Sequence, residues 1–273
     1  MTRHKKKTCT LITGASSGLG KCFAEECAKR GMNLILVALP DHNLAHTTEY
    51  IQNKYQVSVV PMGIDLSEKQ APEKIYSVCQ QKGLIVNALI NNAGLTGCIS
   101  FEDSPLLYSD LRIQLNMRAL VLLCRVFIPS MKKLESAYIL NVCSLAAFFA
   151  IPFKSVYSAS KAFVLNFSKA LREELKDSSV QVSILCPSGI KTNTHSNQRI
   201  STHGAKGNLF LITPEKIAET GIKNMLRGKK IIVPGFSNRL LLFLNRILPE
   251  KIKQNLLYNE FKKELGVCEK EIE

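Results

Sequence analysis

A tyrosine and a lysine stand four residues apart in Tyr157-Ser158-Ala159-Ser160-Lys161. On a helix that spacing puts a phenol and an ammonium on one face. A free tyrosine has a pKa of about 10 and is a poor base at neutral pH. A cation held beside it stabilises the phenolate and draws that pKa toward the working range. Lys161 is placed to do this, and also to hold the ribose hydroxyls of a cofactor. Thirteen residues before Tyr157, an apolar run ends at Asn141-Val142-Cys143-Ser144. The Ser144 hydroxyl can hold a carbonyl while Tyr157 gives or takes its proton. Plainer readings stand beside these: such Tyr–Lys pairs also occur on solvated helices, and a strand-end serine often only bonds backbone. Asn116, polar within the apolar LRIQLNMRALVLL, is either a satisfied buried amide or a ligand for water that links Lys161 to solvent.

The elements that must carry these groups follow from the hydrophobic pattern. Short runs rich in Val, Ile and Leu fall at 9–13, 34–39, 57–61, 85–90, 138–142, 180–186 and 230–234. They are apolar on both faces, as parallel strands between two helix layers must be. Helical periods lie between them at 18–30, 41–54, 68–82, 105–133, 155–176 and 214–227. Thr213-Pro214-Glu215 opens the last with an N-cap, a first-position proline and an early acid. The alternation predicts right-handed βαβ crossovers and a doubly wound α/β sheet of about seven strands, with a C-terminal helical appendage. The expected organisation is one domain over 1–273, with its core at 8–235.

Ligands of such sheets bind beyond the carboxyl ends of the strands. Thr10–Gly20, TLITGASSGLG, places a glycine turn between a buried strand and a helix on that rim. A helix N-terminus there offers unpaired N–H groups and a positive dipole end to a pyrophosphate. Gly14 would permit the tight turn, Gly18 the approach of phosphates, and Gly20 the packing of helix on strand. The spacing is TGxxxGxG rather than GxGxxG, so by itself the turn serves a structural reading equally well. The third strand runs into Asp65-Leu66 and the fourth into Asn91-Asn92-Ala93-Gly94. Asp65 can accept a hydrogen bond from an adenine amino group or cap a helix at Ser67-Glu68. Ala93 and Gly94 are small enough for a nucleotide to pass over.

Composition narrows the classes. The chain has 273 residues, of which 46% are hydrophobic, enough for a large core. Nine scattered cysteines show neither CxxC spacing nor histidine partners, which argues against a metal site and for a reducing compartment. The basic start RHKKK runs into a strand-like segment, so no signal peptide is expected. No apolar run reaches the roughly 20 residues of a spanning helix. A cytoplasmic protein is expected. The net charge of +14 is concentrated in residues 1–7 and 223–253, the latter with eight basic residues and one acid. Without interleaved aromatics or a recognition motif, this is a solvated basic rim or a match for an anionic cofactor, and nucleic acid is not the expected partner.

Taken together, TGASSGLG (13–20), NNAG (91–94), Asn116, Ser144, YSASK (157–161) and PSGIKT (187–192) resemble the short-chain dehydrogenase/reductases in order and spacing. The resemblance covers roughly 8–235 and implies a Rossmann-type sheet with one nicotinamide cofactor. It implies a catalytic set of Asn116, Ser144, Tyr157 and Lys161, with Tyr157 as proton donor or acceptor during hydride transfer to or from a carbonyl carbon. Cofactor contacts would come from Gly14, Ser16, Ser17, Gly18, Leu19 and Gly20 in the loop. Further contacts would come from Asp65, Leu66, Asn92, Ala93 and Gly94, and from Tyr157 and Lys161. Pro187, Ile190 and Thr192 would hold the carboxamide end. The chain departs from the family at Ser188, where glycine is usual, and at Cys143, where serine is frequent. At the end of the second strand, Ala38-Leu39-Pro40-Asp41 offers no arginine for a 2′-phosphate, and Asp41 either reaches a ribose hydroxyl or caps the next helix. Ser17 stands where phosphate-selecting members carry a base, which favours NAD over NADP; Lys21 and the basic surplus argue the other way.

On the substrate side, residues 193–212 are polar and aperiodic, as a covering lid would be. His195 and His203 lack a third ligand and are expected to be loop histidines. In the tail at 237–265, Arg239 and Arg246 share one helical face and Leu240–Leu244, Ile247 and Leu248 cover the rest. That segment could pack on its own domain or on a second subunit as a homodimer or homotetramer, wall an apolar substrate site, or lie in a membrane interface. A similar tail in family members acting on long-chain and steroid-like carbonyls implies an apolar alcohol or ketone as the small-molecule substrate. The competing expectation is a non-catalytic nucleotide-sensing or scaffold protein on the same fold.

Overall fold

The computed structural model describes residues 8–188 and 211–269. Seven strands form one sheet: β1 (Thr8–Thr13), β2 (Asn33–Ala38), β3 (Val59–Gly63), β4 (Ile85–Asn91), β5 (Ala137–Val142), β6 (Val180–Leu185) and β7 (Ile231–Ile232). Their order is β3-β2-β1-β4-β5-β6-β7, and all six pairings are parallel. The order reverses between β1 and β4, which is where a doubly wound sheet opens a crevice at its carboxyl edge.

Helices α1 (Gly18–Lys29), α2 (His42–Tyr55), α3 (Ala71–Gln81), α4 (Leu106–Ile113), α5 (Leu120–Met131), α6 (Ser155–Glu174) and α7 (Pro214–Met225) cover the two faces. Alternate strand residues feed two separate cores. Leu11, Ile35, Leu89, Ile139 and Val182 meet Ile75 of α3, Leu123 and Phe127 of α5 and Val164 of α6. Ile12, Leu36, Ile90, Leu140 and Leu185 meet Phe23 of α1 and Ile217, Ile222 and Met225 of α7. Phe23 and Phe127 have essentially no exposed surface; each such side chain contributes about 1.5–3 kcal/mol when buried. As expected, the Thr213 hydroxyl caps α7, accepting from Lys216 N at 3.4 Å.

Two parts of the chain depart from the sequence pattern. The expected helix at 105–133 is α4 and α5 joined through a π-helical turn at Gln114–Ala119. The tail is two helices, α8 (Phe236–Ile247) and α9 (Glu250–Glu269), because Pro249 follows an extended Leu248 and cannot continue a helix. A buried polar line ties α6 to the sheet: Asn91 Nδ2 donates to Asn141 Oδ1 at 2.8 Å, and Asn141 Nδ2 to Ser168 Oγ at 2.8 Å.

Candidate active site

The glycine loop is braced from below by Thr13 and Asn92. Thr13 Oγ1 accepts from the backbone N–H groups of Asn92 and Ala93 at 2.9 and 3.0 Å. Asn92 Nδ2 donates to the Thr13 carbonyl at 2.9 Å and the Gly14 carbonyl at 3.3 Å. Asn92, expected as a cofactor contact, thus holds the ends of β1 and β4 together. Thr47 of α2 adds a bond to the Ser16 carbonyl at 3.1 Å.

The glycines are required where the backbone turns and closes up. Gly14 and Gly18 have φ of 64° and 51°, in the left-handed region. A Cβ on Gly20 would fall 1.9 Å from the Gly14 carbonyl oxygen. Ser17 precedes α1 in extended conformation, is exposed and makes no capping bond; Leu19 is buried. The first turn of α1 carries no acidic residue. Its N–H groups and dipole end therefore suit an anion, and the loop fits the pyrophosphate of a dinucleotide.

Across the crevice, Ser144 follows β5 by two residues and Tyr157 and Lys161 project from the first two turns of α6. The Ser144 hydroxyl lies near the Tyr157 phenol and accepts from Ala146 N at 3.1 Å. Lys161 is buried; its Nζ donates to the Val142 carbonyl at 3.0 Å and lies 5.9 Å from the Tyr157 ring centroid. The expected lowering of the tyrosine pKa does not arise within the protein. Burial pushes the phenol above its ordinary value, against a downward pull from the nearby Ser144 hydroxyl. Burial also pushes the Lys161 ammonium down, while the Cys143 and Cys186 thiols oppose it. Tyr157 thus holds its proton more firmly than a free tyrosine does. Cys143 sits behind the pair, its thiol donating to the Lys161 carbonyl at 3.2 Å.

Asn116 lies buried in the π-helical turn. Its Oδ1 accepts from Leu95 N at 2.8 Å, and its Nδ2 donates to Leu95 O at 2.9 Å and Ser160 Oγ at 3.1 Å. The amide therefore clamps the segment after β4 to α6. Gly94 fits between: a Cβ there would lie 2.8 Å from Asn116 Oδ1 and 3.7 Å from Lys161 Nζ.

Other expected residues take humbler positions. Asp41 caps α2, its Oδ1 accepting from Leu44 N at 2.9 Å, and Asn43 bonds its other oxygen at 3.3 Å. Asp65 Oδ1 accepts from Ser67 N and Ser67 Oγ, both at 2.8 Å, so it closes a turn rather than capping a helix; α3 begins only at Ala71. Leu66 is buried. The Pro187 carbonyl accepts from Leu145 N at 2.8 Å, and Ser188 Oγ from Asn238 Nδ2 at 3.1 Å, which docks α8 beside the site. Ile190, Thr192, His195, His203 and nearly all of the 193–212 segment lie outside the described residues. Among the described residues no histidine, cysteine and carboxylate groups cluster as metal ligands would.

A pocket opens beside Tyr157, lined by Ile99, Phe101, Tyr108, Phe153, Lys154 and Val156 among others. Thr13, Asn141, Ser168 and Phe153 were not expected at the site. Only Thr13 carries a signal, as the residue that opens the TGxxxGxG stretch.

Residues 8–202 match the family model described as short chain dehydrogenase. Human 17-beta-hydroxysteroid dehydrogenase type 3 is 34% identical over 187 residues, 67% of this chain and 59% of that protein. Very-long-chain 3-oxoacyl-CoA reductase of Bos taurus is 31% identical over 186 residues, again 67% of this chain and 59% of the relative. The matched part of the chain thus spans under two thirds of each relative's length. A short-chain dehydrogenase from Sphingobium yanoikuyae, solved in complex with NADPH, superposes with a TM-score of 0.75 at 26% identity. That match covers 88% of this chain and 93% of the other.

Proposed function

The chain belongs to the short-chain dehydrogenase family, and from that premise we propose that it interconverts an apolar ketone and its alcohol with a nicotinamide dinucleotide. The observation that carries this reading is the cluster of Tyr157 and Ser144, brought near each other at the carboxyl edge of the sheet, with the Lys161 ammonium buried alongside. A dinucleotide fits the bare glycine rim and the N-terminus of α1; when bound it supplies or accepts the hydride. The remaining chemistry belongs to the chain. Ser144 holds the carbonyl oxygen, Tyr157 protonates it and is left as a phenolate, Lys161 offsets that negative charge and holds ribose, and Asn116 fixes the backbone around Lys161.

The names of the two relatives support a long-chain or steroid-like substrate; beside Tyr157, Ile99, Phe101, Phe153 and Val156 contribute apolar surface next to Ser104, Ser109 and Arg112. For the cofactor we infer NAD. The strand β2 leads into Leu39-Pro40-Asp41 without a cation, and Lys21 is drawn over the Tyr50 ring at 5.2 Å. We also infer a cytoplasmic homodimer or homotetramer, consistent with the exposed, stacked Phe163 of α6. Contact with a membrane surface is supported by α8. Phe236 (78% exposed), Phe243 (59%) and Ile247 (64%) line its outer face with Leu240, while Leu241 and Leu242 pack inward. No described helix is long and apolar enough to cross a membrane.

Tyr157→Phe tests the reaction. Turnover of a ketone drawn from a steroid and acyl-thioester panel should fall by about 10³-fold or more, with dinucleotide affinity kept. Normal turnover in the variant would overturn the mechanism. A wild-type protein that binds dinucleotide and reduces nothing on the panel would favour a sensing role.

A further inference from the structure

Helix α9 returns to the mouth of the pocket and grips the chain just ahead of Tyr157. Lys154 Nζ bonds Glu264 Oε1 at 2.7 Å, with side chains only 14% and 3% exposed. The same ammonium lies 4.8 Å from the Phe261 ring centroid. Tyr258 packs on Phe153 with ring centroids 5.5 Å apart, and the Cys98 thiol donates to the Phe261 carbonyl at 3.8 Å. Tyr258, Phe261 and Glu264 are three residues apart in succession, so successive turns of α9 make these contacts.

The gripped residues set the start of α6. Lys154 is its N-cap, and Tyr157 follows within the first turn. Phe153 has φ of 62°, a left-handed conformation that a residue with a Cβ adopts only when its surroundings hold it there. Those surroundings are Tyr258 on one side and Ile99 N, bonded to the Phe153 carbonyl at 2.9 Å, on the other. Ile99, Phe153, Lys154 and Tyr157 all line the pocket. Apolar rings alone would hold α9 against this wall without fixing its register. A carboxylate buried against an ammonium does fix it, since any slip leaves two charges unpaired in a dry place.

We propose that α9 is a latch on the substrate pocket, and that Glu264 is a positioning residue that acts through Lys154 to hold the entry of α6 and so the phenol of Tyr157. The consequence for catalysis rests on Tyr157 being the proton donor; the latch itself does not. The test compares wild type, Glu264→Gln and the exchanged pair Lys154→Glu/Glu264→Lys by amide hydrogen exchange, ketone turnover and dinucleotide affinity. In Glu264→Gln, exchange should rise together across residues 153–161 and 250–265, by about tenfold or more. Its kcat should fall by about tenfold or more, while the dinucleotide Kd stays within about twofold. The exchanged pair should recover most of both. Should Glu264→Gln not fold, Glu264→Asp keeps the charge with a shorter reach, and the same pattern is expected at smaller size. Faster exchange in 250–265 alone, with unchanged kcat, would overturn the proposal. So would a parallel loss of kcat and dinucleotide affinity, which marks general loosening. A wild-type protein that reduces no ketone would defeat the proposed reaction, and coupled exchange of the two segments would still decide the latch.

Discussion

Gly94→Ala adds one methyl group at a tight point between Asn116 and Lys161. The new Cβ would stand 2.8 Å from Asn116 Oδ1, closer than real Cβ atoms come to oxygen, and 3.7 Å from Lys161 Nζ. Gly94 has no left-handed φ, so backbone strain adds nothing and the contact alone decides the effect. Asn116 cannot swing away cheaply, because its amide makes three bonds to Leu95 and Ser160. Forcing a methyl into a packed site costs about 1–3 kcal/mol. If the clamp around Lys161 absorbs that cost in the transition state, kcat/KM falls by about 5- to 150-fold, at tenfold per 1.36 kcal/mol. Steady-state turnover, dinucleotide titration and thermal unfolding would be measured on the same preparation. Gly31→Ala is the control, with φ of 71° and nothing within 4 Å of its Cβ. Its cost of about 1–2 kcal/mol falls on the backbone and should lower Tm by a few degrees with kcat/KM unchanged. Wild-type kcat/KM and Tm in Gly94→Ala would refute the tight Gly94–Asn116–Lys161 arrangement.

Burial holds the Tyr157 phenol above its ordinary value, so the folded protein binds that proton more tightly than the unfolded chain. Its contribution to stability is therefore complete below the free tyrosine pKa of about 10 and is lost as pH rises through the folded value. An ultraviolet tyrosinate titration of the apoprotein, minus that of Tyr157→Phe, should show one group titrating above free tyrosine; a midpoint below it would contradict the burial argument. Asp41→Ala should weaken NADH selectively over NADPH in parallel fluorescence titrations, and remove a helix cap worth about 1 kcal/mol; equal affinities before and after would leave the residue as a cap alone. Leu240→Glu/Phe243→Glu should cut sedimentation with anionic phosphatidylserine vesicles by about two orders of magnitude, with turnover unchanged. Absence of vesicle binding by the wild type would dismiss the membrane contact.

The sheet was legible because Val, Ile and Leu runs buried on both faces have few other destinations; all seven strands fall within a few residues of their expected places. The rim was legible because glycine at 14, 18 and 20 answers to conformations and approaches that the chain itself enforces. The uses of individual polar residues were far less so. Asn92 and Asp41 have donors and acceptors that suit a nucleotide and suit backbone equally, and only geometry shows that backbone bonds occupy part of each. The pKa of Tyr157 could not be read from its spacing to Lys161, since helical neighbours share a face without the ammonium reaching the phenol oxygen. The grip of α9 on Lys154 joins positions 110 residues apart and has no local signature.

The π-helical turn at 114–119 has a geometric consequence for the helix that contains it. In an unbroken α-helix Arg112 and Leu123 would fall within about 20° of each other, since eleven residues make about three turns. Yet Arg112 lines the pocket, while Leu123 sits in the core beneath the sheet. One surplus residue in the turn rotates the upstream half by roughly 100° relative to the downstream half. A single rod thereby presents one flank to a ligand and another to the protein interior, and Asn116 sits at the twist where the two allegiances change over.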